Sequence, residues 1–481
     1  MNRRDLLKLG GMTLGGAGAA RLPLLAQAGM QMSLPPTAPA GKADFELRIA
    51  PVQVELDPSR ILSTIGYNGT APGPLMRMKA DKPVTVDIVN ETDTPELVHW
   101  HGMLIPAEVD GTEEEGSPYI PPHGRSRITL TPGPVGTRWY HSHAMAMDDL
   151  RKGAYSGQFG IVYVEDGNDR GAYDQEHFLA LRDWEPFFTT MMEDDDDDTH
   201  DGPLLERPPE MSTDPNGLEV GSVTYSINEK ALGAGEPIRV KEGQRLLLHL
   251  LNASAIENRR VALAGHSMRV IALDGNPVPK PQLVESVFLG AGERVDVEIT
   301  MNKPGVWILG STEKAVREQG LGVVVEYAGQ HKTPQWVDPK KSAWDYTVFG
   351  NAAPTAPAPK NIIDMTFRKL PRAQGKFNLW TVNGKPYPHQ QEFVLQRGER
   401  YRLVMRNQSD DAHPMHLHRH LWELIEMNGK PTGGIIKDTV VVPYYGRAVV
   451  DFTADQPGLS LFHCHIQQHM DYGFKALFRY A

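Results

Sequence analysis

Cysteine is almost absent from this chain: one residue, Cys464, in 481. A lone thiol excludes an intramolecular disulfide, so no disulfide framework supports the fold. Cations are in deficit, with 49 Lys and Arg against 60 Asp and Glu, a formal charge of −11. That balance argues against nucleic acid or an anionic membrane surface as partner. Long apolar runs are missing; the stretch near the N-terminus is too short and too glycine-rich to span a bilayer, so stable membrane insertion is not expected. Long amphipathic helical patterns are scarce as well. Glycine (46) and proline (38) are plentiful, which suits a β-rich fold with many turns.

The first residues read as an export signal. Arg3-Arg4 before Asp5-Leu6-Leu7-Lys8 resembles the twin-arginine pattern. A Leu/Gly/Ala/Met-rich stretch follows, then Ala26-Gln27-Ala28, a small-x-small cleavage site. Residues 1–28 are therefore expected to be removed by the twin-arginine translocation machinery's route, giving a periplasmic or secreted protein.

A weak internal repeat organises the rest. Residues 67–90, 225–252 and 380–407 each begin at a turn around Asn68, Asn228 or Asn383. Each then passes a polar turn and enters an apolar strand that closes at Asn90, Asn252 or Asn407. The closing asparagines are about 160 residues apart, the signature of three copies of one unit. Segments 84–89, 246–251 and 401–405 are strand-like. The expected architecture is all-β, with three consecutive Greek-key β-sandwich domains. The boundaries read as an N-terminal linker over 29–43, domain one over 44–168, domain two over 169–330, a linker over 331–360 and domain three over 361–481. The linker includes the stiff Pro/Ala-rich 350–359 segment. Domain two carries an acidic run, 193–198, followed by His200; a solvated loop is its default reading.

Histidine carries the chemistry. Of 18, ten fall in four short clusters: His99 and His101; His141 and His143; His413, His416 and His418; and His463 and His465 with His469. Every cluster contains an H-x-H, which on a strand puts both imidazoles on one face. Cys464 lies between His463 and His465 and therefore faces the other way. One short strand can thus touch two metal sites. A thiolate with two imidazoles and a weak axial group is the blue-copper donor set.

On these motifs (HWHG, HSH, HPMHLH and HCHIQQH) the chain resembles the multicopper oxidases, the family of laccases, ascorbate oxidases and cuprous oxidases. The resemblance covers the whole mature chain and implies cupredoxin-like domains and four copper ions. It implies that His413, Cys464 and His469 bind the type 1 copper, and His99 and His416 the type 2 copper. His101, His141 and His465 would bind one type 3 copper; His143, His418 and His463 would bind the other. Cys464 would relay electrons through His463 and His465 to a trinuclear cluster that reduces O2 to water. Asp110, by its spacing after HWHG, matches an acid that handles protons near the cluster; Asp438 reads as structural.

Phe474 departs from the pattern of many relatives, which have methionine there. A phenyl ring cannot coordinate, so the type 1 copper should lose its axial ligand and favour the reduced state. The methionines are dispersed rather than gathered into one insertion. That points to a laccase-like oxidase of phenolic or aromatic amine donors. The alternative is a metallo-oxidase of cuprous, ferrous or manganous ions in copper tolerance, which the acidic run keeps open. A carrier that has lost oxidase activity is disfavoured by the complete histidine set. The remaining histidines, His420 among them, fall outside any ligand motif.

Overall fold

The computed structural model describes residues 41–167, 173–189, 217–340, 344–373 and 375–481. The export signal, the acidic run and His200 lie outside the described residues. Strands dominate, and they assemble into six sheets that form three two-sheet sandwiches.

In the first sandwich one sheet has the spatial order Arg60–Tyr67, Phe45–Asp57, Val84–Asn90, Arg125–Leu130. Its partner has the order Met76–Lys79, Phe159–Glu165, Gly136–Ser142, Val98–His101. Leu47, Ile49, Val86 and Ile88 of one sheet meet Met76, Trp100, Tyr140 and Val162 of the other in one buried core. Phe45–Asp57 alternates buried and exposed residues along its length, as a strand with one wet face must.

The larger sheets of the other two sandwiches repeat one topology. In the second the order is Glu219–Ile227, Gln175–Thr189, Arg245–Asn252, Arg294–Thr300, Met268–Leu273, Asn276–Val284. In the third it is Leu379–Val382, Asn361–Leu370, Arg400–Asn407, Arg447–Thr453, Trp422–Met427, Lys430–Lys437. In all three sandwiches the long early strand pairs parallel to the strand that ends in the repeat's closing asparagine.

The sequence repeat has an atomic counterpart. Asn68, Asn228 and Asn383 all sit at positive φ, between 53° and 55°, a conformation asparagine tolerates in turns. Each side-chain oxygen accepts from a backbone N–H of the long early strand: Arg48 at 2.6 Å, Ala180 at 2.9 Å and Thr366 at 2.8 Å. Asn90, Asn252 and Asn407 are buried. Each accepts from the N–H two residues on and donates to loop carbonyls. These amides replace ladder bonds that the chain loses as it leaves the strand.

Lys42–Ala481 forms one compact unit. The segment read as a linker is not a free spacer. Trp344, Tyr346 and Phe349 are buried in the core that spans the second and third sandwiches, and the Tyr346 hydroxyl donates to Glu293 at 2.8 Å. A separate apolar cluster of Val52, Leu56, Trp139, Trp184 and Leu251 joins the first sandwich to the second.

Candidate metal centres

The strand Leu459–Cys464 organises both centres. It pairs antiparallel with His413–Leu417, which sets His463 opposite His416 and Cys464 opposite Met415. The Cys464 thiol lies against His469 Nδ1 at 3.5 Å and His413 Nδ1 at 3.8 Å. Two ligands about 2.0 to 2.3 Å from one ion, at a roughly trigonal angle, are separated by such distances. His469 comes from the short helix Gln467–Asp471, and the Ser409 hydroxyl meets His413 Nε2 at 2.7 Å, leaving Nδ1 for the sulfur side. Phe474 is fully buried, its ring centroid 4.8 Å from His413, and Trp380 lies 4.0 Å from His469. Burial pushes the Cys464 thiol up and both imidazoles well down. A neutral thiol in this pocket becomes a thiolate when a cation is bound.

The other eight clustered histidines form a single buried cage between the first and third sandwiches. His101, His141 and His465 are mutual neighbours, with ring centroids 5.0 to 5.9 Å apart. So are His143, His418 and His463, at 4.9 to 5.1 Å. His99 and His416 lie 5.7 Å apart, and each stacks on a member of another set: His99 on His418 at 3.9 Å and His416 on His101 at 3.8 Å. Burial, reinforced by neighbouring imidazoles, holds His101, His141, His143, His418, His463 and His465 well below the usual range. His416 is pushed down to about 4 by burial. Neutral imidazole is the form that binds metal.

Hydrogen bonds fix which nitrogen six of the eight rings turn inward. Main-chain carbonyls occupy His99 Nδ1 (Asp110, 3.0 Å), His141 Nδ1 (Ser142, 3.0 Å), His416 Nδ1 (Asp438, 2.8 Å) and His463 Nδ1 (Cys464, 2.9 Å). Asp110 Oδ2 takes His418 Nδ1 at 2.9 Å, and Asp438 Oδ1 takes His101 Nε2 at 3.0 Å. The opposite nitrogens of His99, His101, His141 and His416, and both of His465, are buried without a partner. His418 Nε2 faces His463 Nε2 at 3.0 Å, and His143 Nε2 faces the same atom at 3.4 Å. With the His418 and His463 protons held on Nδ1, two lone pairs oppose each other in a buried site. Such an arrangement calls for cations. The donor set therefore fits copper at both centres.

Asp438, read from the sequence as structural, lies at the cage, and two further charged groups there, Arg294 and Glu115, were not marked by local motifs. Asp438 is buried and belongs to a possible ligand group with His101 and His416. Arg294 of the second sandwich grips it at 2.5 and 2.7 Å. Burial pushes Asp438 up, but Arg294 outweighs it and holds the carboxylate below its usual range. Glu115 lies 3.6 Å from His418 Nδ1 and accepts from the Leu461 N–H at 2.6 Å; burial, then the Asp110 charge, pushes it well up. Only the run of three glutamates from 113 could have drawn attention to it. His420, by contrast, hydrogen-bonds the His418 carbonyl and the Tyr480 hydroxyl.

Comparison with known proteins places this geometry. Three family models described as "Multicopper oxidase" match residues 48–169, 180–326 and 354–481. "Multicopper oxidase MmcO" of Mycobacterium tuberculosis is 30% identical, over 87% of this chain and 83% of its own length. "Copper resistance protein A homolog" of Pseudomonas syringae is 24% identical, over 89% and 91%. A solved multi-copper oxidase from Pseudomonas thermotolerans shares the fold with a TM-score of 0.67 and 23% identity, covering 92% of this chain and all of the other.

Proposed function

The chain belongs to the multicopper oxidase family, and from that membership we propose that it is a laccase-like enzyme of the periplasm or the exterior. It draws single electrons from phenolic or aromatic amine donors at a type 1 copper held by His413, Cys464 and His469. It spends them on O2 at a cluster of three coppers. His99 and His416 hold the type 2 ion, His101, His141 and His465 one type 3 ion, and His143, His418 and His463 the other. One observation carries the reading: Cys464 lies against His413 and His469 while its chain neighbours His463 and His465 belong to the cage. Bound copper supplies one-electron acceptance at the first centre and reduction of O2 to water at the second.

The protein's own groups supply position, exclusion of water and protons. The peptide of Cys464 joins the two centres covalently, and the His463 Nδ1–H bond to the Cys464 carbonyl closes a second path. Asp110 Oδ2 keeps the His418 proton on Nδ1, and Glu115 beside it completes a buried carboxyl pair for handling protons. Near His469, Phe188 meets Phe377 at 5.3 Å and Phe377 stacks on Tyr472 at 4.2 Å. Phe187 and Phe188 are exposed. A flat aromatic donor suits that surface. Arg3-Arg4 and the Ala26-Gln27-Ala28 site support twin-arginine export, and among the described residues no helix is long and apolar enough to cross a membrane.

Glu219 favours a second reading, oxidation of cuprous, ferrous or manganous ions. Its carboxyl, pushed up to about 7 by burial and by the Asp411 charge, accepts from Asn378 at 3.0 Å. Oxygen uptake by copper-loaded protein should be compared with a phenol, an aromatic amine, and cuprous and ferrous ions. Faster turnover on the organic donors is expected; turnover on the metal ions alone would replace the first reading with the second. His416→Ala should abolish oxygen uptake and keep the colour of the thiolate centre.

A further inference from the structure

The second sandwich supplies none of the ten clustered histidines, yet it reaches the cage through Arg294 and Asp274, whose carboxylate accepts from the Asp438 and Thr439 N–H groups at 3.2 and 3.1 Å. Arg294, at the start of the strand Arg294–Thr300, is fully buried. All five N–H donors of its guanidinium have acceptors. Nη1 donates to Asp438 Oδ1 at 2.7 Å and to the Gly292 carbonyl at 3.0 Å. Nη2 donates to Asp438 Oδ2 at 2.5 Å and to the Asp274 carbonyl at 3.2 Å, and Nε to the Thr137 carbonyl at 3.2 Å. A fork so committed allows Asp438 one orientation.

That orientation decides His101 directly, and the residue so anchored also carries the main-chain oxygen that meets His416. Asp438 Oδ1 faces His101 Nε2 at 3.0 Å, and the Asp438 main-chain oxygen faces His416 Nδ1 at 2.8 Å. Both oxygens only accept, and the Thr439 hydroxyl, 3.1 Å from His101 Nε2, donates to Asp438 Oδ1 at 3.0 Å, so the protons sit on His101 Nε2 and His416 Nδ1. His101 Nδ1 and His416 Nε2 are left bare, buried and without partners, on rings that stack at 3.8 Å. The packing leaves no slack: a Cβ on Gly102, at φ +82°, would come within 2.6 Å of Asp438 Oδ2 and 2.7 Å of Arg294 Nη2.

We propose that Arg294 is a positioning residue for the histidine cage, acting through Asp438 to fix the tautomer and orientation of His101 and His416. The second sandwich thereby governs whether the cage is competent for metal. The metal arm of the test rests on the multicopper reading; the tautomer arm does not.

Arg294→Met, Arg294→Lys and Asp438→Asn are compared with the unaltered protein. An asparagine must turn its NH2 toward either Arg294 or His101, so it cannot serve both. In copper-loaded protein, copper per chain, blue absorption and the electron paramagnetic resonance of the type 2 ion are read. Arg294→Met and Asp438→Asn should lose at least half of the cage copper or show a changed type 2 signal. The blue band, an internal control for folding, should stay, and Arg294→Lys should restore part of the loss. In metal-free protein, nitrogen-15 spectra of the histidines should show a His101 Nε2–H tautomer that is lost in Asp438→Asn. Full copper with an unchanged type 2 signal in both variants overturns the proposal, and so does an unchanged His101 tautomer in Asp438→Asn. Should Arg294→Met not fold, Asp438→Asn decides alone. Unaltered protein that takes up no copper would sink the functional reading instead, leaving the tautomer arm to judge this one.

Discussion

At the scale of single residues, the two centres are controlled by a few side chains whose effects separate. Phe474 closes the thiolate centre with a ring that cannot coordinate, packed against His413, Phe367 and Trp380. Phe474→Met should add a weak axial thioether and lower the type 1 potential. A fall of about 60 mV, a tenfold shift for one electron, is expected by redox titration; an unchanged or higher potential would mean that burial and hydrogen bonds set it. Asp110→Asn replaces the carboxylate facing His418 Nδ1 with a neutral amide that can still accept a hydrogen bond but cannot take up and pass on a proton. It should slow oxygen uptake about 100-fold or more, in the range of a lost proton-transfer group, with the blue band unaltered. The residue scale is also where the sequence was most legible. Histidine and cysteine motifs name their own chemistry, and period-two alternation separates Cys464 from its neighbours. Arg294 and Glu115 carry no such label, and Asp438 reads only as structural. Their roles come from contacts across 337, 144 and 346 positions in the chain, which no local window contains.

At the scale of elements, the junction between the first two sandwiches holds a buried ionic knot. His249 Nδ1 meets Asp296 at 2.9 Å and the Thr137 hydroxyl at 2.9 Å, while Nε2 meets Glu176 at 3.2 Å; Arg77 pairs with the same Glu176. The ring stacks on Phe178 at 4.3 Å. Burial alone would push His249 down, but Asp296 and Glu176 outweigh it and raise it to about 9. Its folded-state pKa thus lies above the ordinary value of about 6.5. The stabilisation is complete below roughly pH 6.5 and fades as pH climbs through 9, by at most about 1.4 kcal/mol per pH unit in that window. Thermal melts from pH 6 to 9.5 should show this decline, and His249→Gln should flatten it; equal slopes in both proteins would remove His249 from the interface account. The strand repeat was readable from spacing, because the turn and closing asparagines recur. The packing of Trp344, Tyr346 and Phe349 was not, since alanine and proline around them read as a spacer.

At the scale of the whole molecule, metal and fold are coupled. The cage gathers buried imidazoles from the first and third sandwiches, several with an unpartnered nitrogen. Metal-free protein therefore carries an uncompensated polar interior that ions relieve. Copper removal by a chelator should lower the melting temperature by several degrees, because binding to the folded state alone stabilises it; calorimetry on both forms checks this, and equal melts would argue against a preformed cage. Three sandwiches and their all-β class were legible because each copy repeats the same turn-to-strand grammar. How they dock was not, because docking is set by buried charges and by apolar clusters such as Val52, Trp139 and Leu251.

The most direct measurement is made on copper-loaded Cys464→Ser beside the unaltered protein: copper per chain, visible absorption and oxygen uptake with a phenol. The hydroxyl variant should lose the blue band, one copper and all donor-driven oxygen uptake, while the cage keeps its metal. A variant that stays blue, or that still consumes oxygen at the original rate, would contradict a single sulfur serving as the entry point for electrons.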